Sequence, residues 1–357
     1  MEFTHFLSPI LALLMMLLLV PVFRKIAVKI GLVDRPNYRK VHQNPVPLIG
    51  GISIFICTSL ALFIIRPFTK ELDFFFQVFP LLLILITVGV VDDRFDLRAI
   101  LKLAIQLILA HLVFSQGIKI ESFYGLFGVY EIAYWLQYVL TIIIITGVVN
   151  AFNLMDGIDG LAGGLSIIGL IILSALAIYL KQYSLFLVFV TYTVALIAFL
   201  RFNFSKKNKI FMGDAGSLVI GFLMVVSSIK LLQVAQNSPT ISIVAVGVIA
   251  VLIIPVFDAL RVFRKRLKTG KSPFSADKTH LHHLIIYSGL KHKYASIAIV
   301  VLMLVIMGFG YISFHVKGIN YALIFMLLIF YIFTQTLQFL NKMALWKKKI
   351  KEIEFPS

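Results

Sequence analysis

Charge is what this sequence has least of. Only 14% of its 357 residues are charged and only 16 are Asp or Glu, against 60% apolar residues and a mean hydropathy of +0.99. Soluble domains run at about 25% charged and 45–50% apolar, so a water-soluble globular fold is excluded. Cysteine is almost absent: Cys57 stands alone in an apolar run, which rules out a disulfide framework. The first apolar run, Phe6 to Phe23, lacks a basic segment before it and a small-residue cleavage site after it, and Arg24 and Lys25 follow directly. It is expected to be a retained spanning helix rather than a secretory signal.

What is present is apolar length. Runs of about 17–25 apolar residues can span a bilayer, and about eleven occur, centred on 6–23, 48–66, 74–91, 99–116, 135–152, 161–180, 184–200, 217–234, 241–258, 295–315 and 319–340. The expected fold is an all-α polytopic membrane protein. Of the 33 Lys and Arg residues, 27 fall in the alternate segments 24–47, 92–102, 150–160, 201–216, 259–294 and 341–357. The positive-inside tendency then sets the N-terminus outside and the C-terminus in the cytoplasm. Residues 1–340 form one integral membrane domain in this reading, with cytoplasmic loops at 24–47, 92–102, 150–160, 201–216 and 259–294, and 341–357 is a basic cytoplasmic tail. The net charge of +17 is thereby a matter of topology, not a nucleic-acid footprint. The bilayer is one expected partner, and nucleic acid is not.

Three polar clusters interrupt this chain, and they hold six of its sixteen acidic residues. A carboxylate at a membrane boundary costs several kcal/mol, on the order of 3, unless compensated. The first cluster is Asp92-Asp93-Arg94-Phe95-Asp96; on a helix Asp92 and Asp96 would share a face, a pattern suited to a Mg²⁺-bridged diphosphate or general-base work. An ordinary solvated helix cap is the plain alternative. The second spaces Asn150, Asn153, Asp156 and Asp159 at intervals of three, with Gly157, Gly160, Gly163 and Gly164 permitting close approach. Small-residue helix packing explains the glycines but not the polar stripe. The third, Gly213-Asp214-Ala215-Gly216-Ser217, opens a spanning helix, where free N–H groups favour an anion and where Asp214 could also be a simple N-cap.

Two basic segments accompany them. Residues 259–294 carry His280, His282 and His283 among nine Lys and Arg; no cysteine or i,i+4 histidine pair completes a zinc site, so contacts to phosphate or nucleotide are favoured over an exposed basic loop. The first inner loop, Asp34 to Gly51, is stiffened by proline and presents Lys40 and His42, or else is only a topological anchor.

In this order, these motifs resemble the polyprenyl-phosphate N-acetylhexosamine-1-phosphate transferase family. It includes the bacterial enzymes that start enterobacterial common antigen, O-antigen and wall teichoic acid, the MraY translocase, and the eukaryotic dolichyl-phosphate enzyme. The match runs from about Asp34 to His283. Pro45 to Gly51 and Asp277 to His283 are similar to the GlcNAc-type branch rather than to the MraY branch.

The resemblance implies transfer of a HexNAc-1-phosphate, with GlcNAc favoured, from a UDP-sugar to undecaprenyl phosphate. UMP would be released and a cell-surface glycan started. It implies Asp92 and Asp93 as the catalytic pair and Asn153 and Asp214 as ligands of Mg²⁺ (or Mn²⁺). Lys40, His42, Lys102, Asn150, Asp156, Asp159, His280, His282 and His283 become substrate-binding residues. The site would face the cytoplasm from the inner membrane, and a second copy of the chain is kept as a candidate partner. A UbiA-type prenyltransferase also uses Asp-Asp-x-x-Asp but would not be expected to carry the third cluster or the histidines. A CDP-alcohol phosphotransferase would need Asp-Gly-x-x-Ala-Arg, which Asp156-Gly157 does not continue. A transporter with midplane carboxylates fits poorly with clusters at one boundary.

Overall fold

The computed structural model describes residues 4–35, 44–68, 72–272 and 279–354. Among these it contains twelve α-helices: α1 (Thr4–Ile30), α2 (Gly50–Ile65), α3 (Asp73–Phe95), α4 (Ala99–Ser115), α5 (Tyr134–Met155), α6 (Leu161–Tyr179), α7 (Tyr183–Asn203), α8 (Gly213–Ala235), α9 (Ile241–Lys268), α10 (Leu281–Tyr287), α11 (His292–Lys317) and α12 (Ile319–Glu354). Nine are long and apolar enough to cross a membrane, and α2 and α4 are shorter apolar helices. Eleven apolar helices therefore stand where the sequence placed eleven spans. The protein is a nearly all-helical polytopic membrane protein. The basic 341–357 segment continues α12 as helix through Glu354.

Helix α8 is the axis of the molecule. It is buried along nearly its whole length, whereas α12 is the most exposed of the long spans. Close approach at its first turn depends on glycine. A Cβ on Gly51 would overlap the backbone of Gly216, and one on Gly89 would overlap the backbone of Ala215. The start of α2 and the last turns of α3 can thus press directly onto α8. Gly50 and Gly51 also donate their N–H groups to Phe211 O (2.8 Å) and Met212 O (2.9 Å). A two-stranded antiparallel ribbon, β1 (Val33–Asp34) with β2 (Val46–Pro47), and a bridge between Leu48 and Phe211 close the same end.

Gly51→Val is accordingly expected to destabilise the protein by more than the usual overpacking cost of about 1–3 kcal/mol, because the obstacle is backbone and cannot change rotamer. The thermal midpoint in detergent checks this. Gly308→Val, where a Cβ meets nothing within 4 Å, serves as the control, and an unchanged midpoint for Gly51→Val would contradict the packing argument.

Candidate active site

All three acidic clusters meet at the end of the bundle where α3, α5 and α9 finish and α4, α6 and α8 begin. Asp92, in the last turn of α3, is almost fully buried. Its Oδ1 accepts the Leu97 N–H (2.8 Å), which tightens the turn into α4, and its Oδ2 accepts from Lys102 Nζ (2.6 Å). The same ammonium reaches Asp214 Oδ2 at 3.3 Å. One lysine thus bridges two carboxylates that lie 122 residues apart in sequence.

Asp93 takes a different partner. Its two oxygens accept the N–H groups of Asp214 (2.8 Å) and Ala215 (3.2 Å). Helix α8 has no side-chain N-cap of its own, so Asp93 caps it from a neighbouring helix, satisfying donors that would otherwise be orphaned. Asp214 is consequently not the cap, and its carboxylate is free to face the site. Asp96 corrects the expectation of a shared helix face with Asp92. The helix ends at Phe95, and Asp96 is an exposed C-cap in the left-handed region (φ 53°).

The asparagine–aspartate stripe splits along its length. Asn150 donates to Thr146 O and to Gln106 of α4, so its amide ties two helices together. Asn153, one turn on, donates from Nδ2 to Ser217 Oγ (3.2 Å). Asp156 follows as the C-cap of α5. Burial, reinforced by the negative charges of Asp214 and Asp93, pushes its carboxyl well above the usual carboxylate range. Asp159 pairs with Lys209 at 2.5 Å, a partner that local pattern could not supply.

The histidine segment is stacked over the second cluster. His280 precedes α10, and His282 and His283 lie within it. The rings of His280 and His282 are parallel at 5.9 Å, and that of His283 is 4.2 Å from His282. His282 lies against Gly157, where a Cβ would collide with its ring. Burial and the nearby His283 and His280 push His282 down to about 3, so it is neutral near pH 7 and contributes shape rather than charge. The sequence reading missed Asp258 and Arg261 on α9, which anchor this segment. Their only signal was an acidic residue late in an apolar helix with an arginine three positions on. Lys40 and His42 lie outside the described residues.

Two cavities open here. A groove of about 1120 Å³ runs from Lys102, Asn153, Asp156 and the three histidines, between α5, α8 and α9, to Ile120, Tyr124 and Ile319 at the opposite end of the bundle. Away from the polar cluster its lining is mostly apolar. A second cavity, about 920 Å³, is walled by Asp92, Asp93, Asp96, Asp159, Lys209, Asp214, Tyr287 and His292. Asp156, Gly157 and His283 line both. Among the described residues no three His, Cys, Asp or Glu side chains are grouped so as to hold a metal ion by themselves.

Residues 75–232 match the model of glycosyl transferase family 4. The chain is 32% identical over 343 residues to the undecaprenyl-phosphate α-N-acetylglucosaminyl 1-phosphate transferase of Salmonella typhi, covering 92% of this chain and 89% of the relative. The chain belongs to glycosyl transferase family 4. This family 4 chain is also 34% identical over 285 residues to the Yersinia pestis enzyme of the same description, covering 78% of the chain and 76% of the relative. To the probable undecaprenyl-phosphate N-acetylglucosaminyl 1-phosphate transferase of Bacillus subtilis it is 34% identical over 293 residues, covering 81% and 79%. The span matched by the family 4 model holds Asp92, Asp93, Lys102, Asn153, Asp156 and Asp214.

Proposed function

We infer that this protein transfers N-acetylglucosamine 1-phosphate from UDP-GlcNAc to undecaprenyl phosphate, releasing UMP and starting a cell-surface glycan. One observation carries the reading: a long apolar groove and a polar pocket meet at Asp156, Gly157 and His283. The groove suits a polyprenyl chain with its phosphate at the Lys102 end, and the pocket suits a nucleotide-sugar. An oxygen of the lipid phosphate attacks the β-phosphorus. The bond from that phosphorus to the α–β bridging oxygen breaks, and its electron pair leaves with UMP.

The acidic residues bear on how two anions can meet here. Two carboxylates, those of Asp92 and Asp214, share one lysine, and the oxygen donors of Asp214 and Asn153 are the hard ligands that Mg²⁺ prefers, with substrate phosphates completing its shell. When bound, Mg²⁺ would supply Lewis-acid stabilisation of charge on the phosphoryl oxygens. Lys102 holds Asp92 and Asp214 in register and adds positive charge where the lipid phosphate arrives. A phosphate monoester, with a second pKa of about 6, is largely ionised at neutral pH. Asp92 therefore orients the nucleophile more than it deprotonates it. Asp93 fixes the turn that carries Asp214, and Asp159 with Lys209 walls the nucleotide-sugar side. The distribution of Lys and Arg supports an inner-membrane location with this end facing the cytoplasm, where UDP-sugars are made.

The test is purified protein in detergent with undecaprenyl phosphate, Mg²⁺ and a panel of UDP-sugars. UDP-GlcNAc is expected to give butanol-extractable product at the highest kcat/KM. Faster turnover of another UDP-HexNAc would overturn the choice of sugar, and no lipid product from any of them would overturn the function.

A further inference from the structure

Asp258 is the most buried carboxylate among the described residues, with 0% of its surface exposed, and each neighbour that bonds it is a donor. Arg261 Nη2 reaches Oδ1 at 2.6 Å, the Leu281 N–H reaches both oxygens at 3.0 and 3.1 Å, and His280 Nδ1 reaches Oδ2 at 2.9 Å. Arg261 also donates to Thr279 O at 2.6 Å, so the residues on both sides of His280 are pinned. A guanidinium and a backbone amide can only donate, and the positive charge of Arg261 at 2.6 Å favours the ionised carboxylate of Asp258. His280 Nδ1 must then carry a proton. The other ring nitrogen, Nε2, is buried without a protein partner, in a residue only 4% exposed. His280 lines the same groove as Lys102, Asn153 and Asp156.

The geometry points to Asp258 as a positioning residue for the transfer: it locks the ring orientation of His280, keeps the proton on Nδ1, and thereby aims Nε2 at the polar head of the substrate. This rests on the transferase reading for its substrate, but the locked histidine stands on the side-chain geometry alone. Partners of this kind tune a histidine through its far nitrogen. Exchanging such an Asp for Asn can preserve geometry while selecting the wrong tautomer.

Two measurements test it on the full chain. In ¹⁵N-histidine-labelled wild-type protein, with the His280 signal identified by its loss in His280→Gln, Nδ1 is expected to be protonated; an unprotonated Nδ1 overturns the proposal and requires no folded Asp258 variant. In kinetics, Asp258→Asn and His280→Gln are each expected to lower kcat/KM for UDP-GlcNAc by about 10–100-fold, the range seen when an orienting partner is removed. The double variant should fall within about twofold of the worse single, since the two act as one unit. Losses that multiply would overturn it. Wild-type protein inactive with every UDP-sugar would sink the functional reading instead, and the Nδ1 measurement would still decide the role of Asp258.

Discussion

Asp214→Ala is expected to cut turnover by about 10²–10³-fold, the size of loss that follows removal of one group stabilising transition-state charge. The fold should survive, because Asp93 bonds the backbone N–H groups of Asp214 and Ala215, not the Asp214 side chain. What disappears is an oxygen donor facing Lys102 and Asn153. If that donor holds Mg²⁺, part of the activity should return as Mg²⁺ is raised, since one lost ligand weakens metal affinity without removing the site. The measurement is a Mg²⁺ titration of initial rate with the thermal midpoint alongside. Full activity at ordinary Mg²⁺ would remove Asp214 from the metal assignment.

Lys102→Met is expected to lower kcat/KM by about 10²-fold, and it should also be felt in stability. The Asp92 side chain is 2% exposed, against 23% for Lys102 and 35% for Asp214. Breaking a fully buried ion pair by removing one partner costs about 3–5 kcal/mol. Solvent at the lysine and at Asp214 screens part of this, leaving about 1–3 kcal/mol. Adding Asp92→Asn to Lys102→Met takes away the stranded charge. The double variant should regain most of the thermal midpoint while its activity stays low. If stability and activity recover together, Lys102 serves only to neutralise Asp92.

The spans and the grouping of the acidic clusters were legible because both are written locally. Apolar runs have membrane length, and each acidic cluster stands at the end of one. Asp92-Asp93 and Gly213-Asp214 could each be read as polar groups at a helix boundary. Their partners could not. Capping of α8 by Asp93 joins positions 121 apart, and it reassigns to Asp93 a job that local pattern gives to Asp214. The face shared by Asp92 and Asp96 failed because the helix stops one residue short, a decision made by the left-handed backbone at Asp96 and invisible to a period of 3.6. Asp258 stands in the sequence as one acidic residue after an apolar run. Only packing reveals that it collects Arg261, Leu281 and His280. The pairing of Asp159 with Lys209 is hidden in the same way, since nothing near either residue names the other.

In the proposed transfer the lipid phosphate attacks the β-phosphorus, and a label on that atom follows the step itself. UDP-GlcNAc labelled with ³²P at the β-position is incubated with purified protein, undecaprenyl phosphate and Mg²⁺. The label is expected in the butanol-extractable lipid, with unlabelled UMP released in equal amount. Label remaining in the aqueous phase as UDP, with the sugar alone on the lipid, would contradict it.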